Sequence, residues 1–276
     1  MRTADGLFRA MHSFSRAAVD GRVGSTAASF LLRPILRRLA PASLDQLAAL
    51  SVSGIHLEPY ALAHQLWRLT DVELAQTEGE FANVWLTVEQ RLKEGGGRYP
   101  AVFRADRTVA FLVYVACRRE RPTVVLETGV ADGITSLTIL TALEANGRGT
   151  LHSIDVRGDV GQLLSVRERS RWTLHVLQGD RRGALRRALS RVPRGQLFFH
   201  DSNHSYHWQM SELKAASAWL LPGGLVLADD VDASRAYGDW CHEQMLAPHL
   251  CFARTRIFGA VRVSRDHPRG FLTGRD

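Results

Sequence analysis

Beyond residue 120 the chain alternates two textures. Short β-branched runs at Thr123–Glu127, Thr150–Asp155, Thr173–Leu177, Gln196–Asp201 and Gly224–Asp229 read as strands. Between them, Thr135–Asn146, Arg181–Val192 and Trp208–Leu221 repeat apolar residues at helical spacing. Strand and helix in strict succession predict parallel βαβ units and an α/β, doubly wound sheet. Cys251–Val263 reads as two more strands with a turn near Phe258-Gly259, a terminal antiparallel hairpin. The expectation is a mostly parallel seven-stranded sheet.

Acidic residues end these strands. Glu127, Asp155, Asp201 and Asp229 each close an apolar run, and Asp180 follows another. Ligands of open α/β sheets bind beyond the carboxyl ends of the strands. Five such acids place a row of carboxylates along one rim.

The first acid opens Glu127-Thr-Gly-Val-Ala-Asp-Gly-Ile-Thr-Ser136. Gly129 and Gly133 suit a tight turn and a close backbone approach to a ligand, and the following helix offers free N–H groups. A dinucleotide fingerprint wants a middle glycine where Ala131 stands, and an acid about 20 residues on rather than at Asp155. That weighs against a nicotinamide-dependent oxidoreductase. Charge points the same way: Glu127 repels a pyrophosphate but attracts an amino group or a sulfonium. Asp155 is placed to accept from ribose hydroxyls, and Asp180 from an adenine amino group.

The succession Glu127-Thr-Gly-x-x-x-Gly133-x-Thr-Ser136, Ile154-Asp155, Gly179-Asp180 and Leu221-Pro-Gly-Gly224 resembles class I S-adenosylmethionine-dependent methyltransferases over about residues 110–264. The resemblance implies a Rossmann-like fold. It places Glu127, Gly129 and Gly133 around the methionine part of S-adenosyl-L-methionine, Asp155 at its ribose and Asp180 at its adenine. Ser136 closes the first motif and is counted with these cofactor-binding residues.

A second constellation lies downstream. Phe199-His-Asp-Ser-Asn-His-Ser-Tyr206 ends the fourth strand and Leu227-Ala-Asp-Asp230 the fifth. Neighbouring strand ends lie about 5 Å apart, so Asp201, Asp229 and Asp230 can converge. Three carboxylates form a hard oxygen site suited to Mg²⁺, or to Mn²⁺ or Ca²⁺. Such an ion lowers the pKa of a substrate hydroxyl. His204, with an ordinary pKa of about 6.5, can take a hydroxyl proton near neutrality. The pattern is similar to macrocin-type and mycinamicin-type sugar O-methyltransferases, which often carry Glu where Asp229 stands. That resemblance implies Asp201, Asp229 and Asp230 as metal ligands, His204 as the base, Asp201 beside it in catalysis, and a sugar-bearing or polyketide-like acceptor. Metal-independent methyl transfer is the alternative. His200 reads as structural, and Trp208 and Trp219 as core.

Before residue 110 the patterns look helical, so residues 1–110 are expected as a helical region and 111–276 as the cofactor-binding domain. Helical spacing recurs at Leu7, Phe8, Met11 and Phe14, Ser43 opens a capping box, and Gly79–Glu94 reads as a helix stopped by Gly95. These helices are expected to cover the acceptor site or to form a homo-oligomer contact.

The chain has 276 residues and a net charge of +7. Residues 157–194 alone carry ten Arg against three acids. On Arg181–Val192 the arginines fall largely outside an apolar stripe of Ala184, Leu185, Ala188, Leu189 and Val192, a solvated basic face. No aromatics interleave them for base stacking, so a nucleic-acid partner is not expected. Thr108–Cys117, the longest nearly uncharged apolar run, is far short of a membrane span of about 20 residues. The first residues show no secretory apolar core, and the three cysteines suggest neither disulfides nor zinc, so a cytoplasmic protein is expected.

Overall fold

The computed structural model describes residues 52–56, 58–178, 181–253 and 256–264. The expectations for residues 1–51, including the Ser43 capping box, and for Asp180 lie outside them.

Strands β1 (Gly54–His56), β2 (Val124–Thr128), β3 (Thr150–Asp155), β4 (Trp172–Val176), β5 (Leu197–His200), β6 (Leu225–Ala228), β7 (His249–Ala253) and β8 (Arg256–Arg262) form one sheet. Their order is β1-β7-β8-β6-β5-β2-β3-β4. All neighbours run parallel except β8, which is antiparallel to β6 and β7. The doubly wound sheet and its terminal hairpin are as expected. The eighth strand, β1, comes from the region read as helical and pairs with β7. The expected hairpin turn at Phe258-Gly259 is corrected, because both residues lie inside β8. Gly259 is needed there for packing: an added Cβ would come within 2.6 Å of the buried Tyr237 ring.

The helices are α1 (Pro59–Trp67), α2 (Asp71–Arg91), α3 (Arg107–Glu120), α4 (Ile134–Ala145), α5 (Val166–Arg169), α6 (Arg181–Leu189), α7 (Tyr206–Trp219) and α8 (Ala236–Glu243). Helix α2 begins well before the expected Gly79. Thr70 and Glu73 form a capping box that starts it, and Gly95 at φ +88° ends the turn that follows it. Among the described residues no helix is long and apolar enough to cross a membrane.

Alternation along the strands divides the core into two layers. Phe199 joins Phe81, Phe111, Tyr114 and Leu137 on the face covered by α1–α4. Phe198, one residue earlier, joins Tyr237, Trp240 and Trp219 on the face covered by α6, α7 and α8. The run Thr108–Cys117 is buried because α3 is enclosed on every side, from Val109 to Cys117. The boundary expected at residue 110 falls within α3, whose side chains share one core with β2 and β3. On α6 the apolar stripe is buried and Arg186 and Arg187 are exposed.

Candidate active site

Strand β2 is the switch point of the sheet. The chain leaves it through α4 to β3 on one side, while β5 lies on its other side. A crevice must open between the two departing connections. Here it is a cavity of about 640 Å³.

Its floor is the turn from β2 to α4. Gly129 (φ +82°), Ala131 (φ +47°) and Gly133 (φ +94°) all adopt left-handed backbone. Gly129 passes so close to β5 that an added Cβ would lie 1.9 Å from the Asp201 carbonyl oxygen. Gly133 caps α4 and faces Gly161, with an added Cβ 2.9 Å from its Cα. Gly129, Val130 and Ala131 line the cavity, whereas Gly133 shapes the turn from behind.

Asp155, at the end of β3, lines the same cavity with Val156 and Leu177. Val130 N donates to its Oδ2 at 2.9 Å, and Arg157 N to its Oδ1 at 2.9 Å. Each oxygen keeps a lone pair for a ligand.

Glu127 and Ser136 were expected beside the cofactor, and the structure places neither in the cavity lining. Glu127 points to the α4 face and is fully buried. Its carboxylate accepts from Thr135 Oγ1 (2.7 Å), Ser136 Oγ (2.6 Å) and Ser153 Oγ (2.6 Å). It therefore ties the first turn of α4 to β2 and β3. Burial, which the three hydroxyls only partly offset, pushes its pKa up to about 7. The folded state thus keeps a proton that the unfolded chain releases above the ordinary 4.5. This contribution to stability is complete below that value and is lost as pH rises through about 7. Urea unfolding between pH 5 and 8 is expected to show wild type losing up to about 3 kcal/mol relative to Glu127→Gln. Parallel pH profiles for the two proteins would contradict this.

Asp132, not singled out in the sequence, anchors the roof. It is buried and accepts from Arg98 N (2.7 Å), Tyr99 N (3.1 Å) and Arg104 Nε (3.0 Å). It thereby holds Tyr99, Phe103 and Arg104 over the cavity. The segment between α2 and α3 thus lines the cavity. Its only sequence signal was an acid inside the glycine turn.

At the far end Asp201, His204 and Asp230 line the cavity together. His204 Nε2 stands 3.7 Å from Asp201 Oδ1 and 3.9 Å from Asp230 Oδ2. Burial pulls the imidazole pKa down, but Asp201, Asp230 and Asp229 outweigh it and hold it above the ordinary value. His204 Nδ1 is buried without a partner. Beneath it, Glu212 Oε2 gathers His200 Nδ1 (2.8 Å), Thr128 Oγ1 (3.1 Å) and Ser202 Oγ (2.6 Å), so His200 is structural. Trp219 is buried in the core, but Trp208 lines the cavity.

The expected magnesium site at Asp201, Asp229 and Asp230 does not fit the structure. Asp229 is fully buried and does not line the cavity. Its Oδ2 is 2.5 Å from Arg256 Nη1, whose Nε is 3.8 Å from Asp230 Oδ1. A guanidinium is bonded to the carboxylate on which a metal would depend. Among the described residues no three carboxylate, imidazole or thiol groups gather to hold a metal ion. Burial and the Asp201 and Asp230 charges raise the Asp229 pKa, and Arg256 opposes them.

A family model described as a methyltransferase domain matches residues 126–231. The matched segment is well under half of the chain. It contains the glycine turn, Asp155, Asp201, His204 and Asp230, and Arg256 lies outside it. The cofactor-bound structure of Rv0187 from MTB is 13% identical, with a TM-score of 0.51, over 68% of this chain and 90% of that one. That likeness shows the Rossmann-like fold. The O-methyltransferase TomG from Streptomyces achromogenes is 15% identical over 83% of this chain and 98% of that one, with a TM-score of 0.48. The MycE methyltransferase of the mycinamycin pathway is 16% identical over 54% of this chain and 46% of that one, with a TM-score of 0.40. No curated protein sequence matches the chain.

Proposed function

We propose that this chain transfers the methyl group of S-adenosylmethionine to a hydroxyl oxygen of a small molecule. The observation that carries this reading is Asp155: a carboxylate at the end of β3, in one cavity with the Gly129 turn and with His204. Asp155 accepts from the ribose hydroxyls. The backbone of Gly129 and Val130 lies against the methionine part, and Leu177 against the adenine. The sulfonium methyl then faces the Asp201–His204 end.

There His204 takes the proton of the acceptor hydroxyl. The oxygen lone pair forms the new C–O bond as the C–S bond breaks, and sulfur keeps that electron pair as a thioether. The chain contributes positioning and a proton acceptor. A sugar-bearing or polyketide-like acceptor is part of this proposal, with support from the sequence resemblance.

Incubation with methyl-labelled S-adenosylmethionine and a panel of phenols and glycosides tests it. Label is expected on oxygen. Label found only on the nitrogen of added amines would overturn the O-methylation reading.

A further inference from the structure

Charge is concentrated at the acceptor end of the cavity. Asp201 follows β5, and Asp229 and Asp230 follow β6, its parallel neighbour. Three carboxylates in so small a space repel one another unless a cation offsets them. A divalent ion is one such cation. This chain brings another from a different direction.

Arg256 is the first residue of β8, antiparallel to β6. Its guanidinium reaches back to Asp229 and Asp230 and lines the cavity beside His204. Only 17% of the Arg256 side chain and none of Asp229 is exposed, so solvent screens the pair weakly. A guanidinium does not deprotonate in proteins, so the charge is permanent. Asp229 Oδ2 is taken by it, and Oδ1 is buried with no partner.

We propose that Arg256 is a built-in counter-ion that holds the place of a divalent metal at Asp201, Asp229 and Asp230, so that the acceptor is positioned and deprotonated without a metal ion. Arg256 acts through Asp229 and Asp230 and is a positioning residue. It holds the two side chains fixed beside His204 and occupies the place a second cation would need. The inference rests on the methyltransferase reading for what the cation serves. The exclusion of metal stands on the geometry alone.

Mn²⁺ titration followed by electron paramagnetic resonance tests it on the full chain. Wild type is expected to leave the six-line signal of free Mn²⁺ at full amplitude. Arg256→Ala opens the place and is expected to remove one Mn²⁺ per chain from that signal, with a Tm that falls without Mn²⁺ and recovers with it. Arg256→Lys keeps a cation and is expected to match wild type. One Mn²⁺ bound per wild-type chain, and lost in Asp229→Asn, would overturn the proposal. So would an Arg256→Ala protein with a wild-type circular dichroism spectrum and no Mn²⁺ bound. Should Arg256→Ala not fold, the wild-type and Arg256→Lys titrations decide alone. S-Adenosylhomocysteine binding, measured in the same samples, separates failure of this inference from failure of the methyltransferase reading.

Discussion

Gly129→Ala is expected to abolish S-adenosylhomocysteine binding, with a loss on the order of 100-fold or more, and to displace Asp201 as well. Two effects combine. Left-handed backbone at φ +82° costs an L-residue roughly 1–2 kcal/mol, which alone corresponds to about tenfold. The overlap is larger. A Cβ 1.9 Å from the Asp201 carbonyl oxygen and 2.7 Å from its carbon cannot be accommodated. Both atoms are backbone, so no side-chain rotation relieves the contact. The β2–α4 turn and the end of β5 must separate, and the cavity opens at the point where its two halves meet. Gly147→Ala is the matched control. Its φ is +69°, but an added Cβ meets nothing within 4 Å. It is expected to cost about 1–2 kcal/mol in urea unfolding and to leave binding intact. Equal binding by the two variants would contradict the close-approach argument.

His204→Ala is expected to lower turnover by roughly 10²- to 10⁴-fold, the usual contribution of a positioned base, with S-adenosylhomocysteine affinity unchanged. Steady-state rates with any acceptor that supports turnover, together with calorimetry, separate the two quantities. The neighbouring carboxylates hold the His204 pKa above 6.5. A base must be neutral to act, so the rising limb of the pH–rate profile is expected above that value, and its pH dependence is expected to disappear in the variant. Turnover within a few-fold of wild type would remove His204 from the reaction.

The sequence carried the fold because local patterns encode it. β3 was bounded from Thr150 to Asp155 by a short β-branched run and a terminal acid, and that acid lies in the cavity. Glu127 shared the same signal but does not line the cavity. A terminal acid does not reveal which face of its strand it occupies, and three hydroxyls from α4 and β3 decide that here. Asp229 lies outside the cavity lining for a different reason. Its partner Arg256 comes from a distant strand that runs antiparallel to β6, and no local spacing announces such a pairing. Gly259 is a third case. A glycine beside an aromatic residue resembles a turn until Tyr237 is seen packed over it.

The claim on which the rest depends is that the cavity binds the methyl donor through Asp155. Calorimetric titration with S-adenosylhomocysteine tests it most directly, in the presence of a chelator, for wild type and Asp155→Ala. The account predicts one ligand per wild-type chain and a loss of binding in the variant. No heat with wild type, or identical binding by Asp155→Ala, would contradict it.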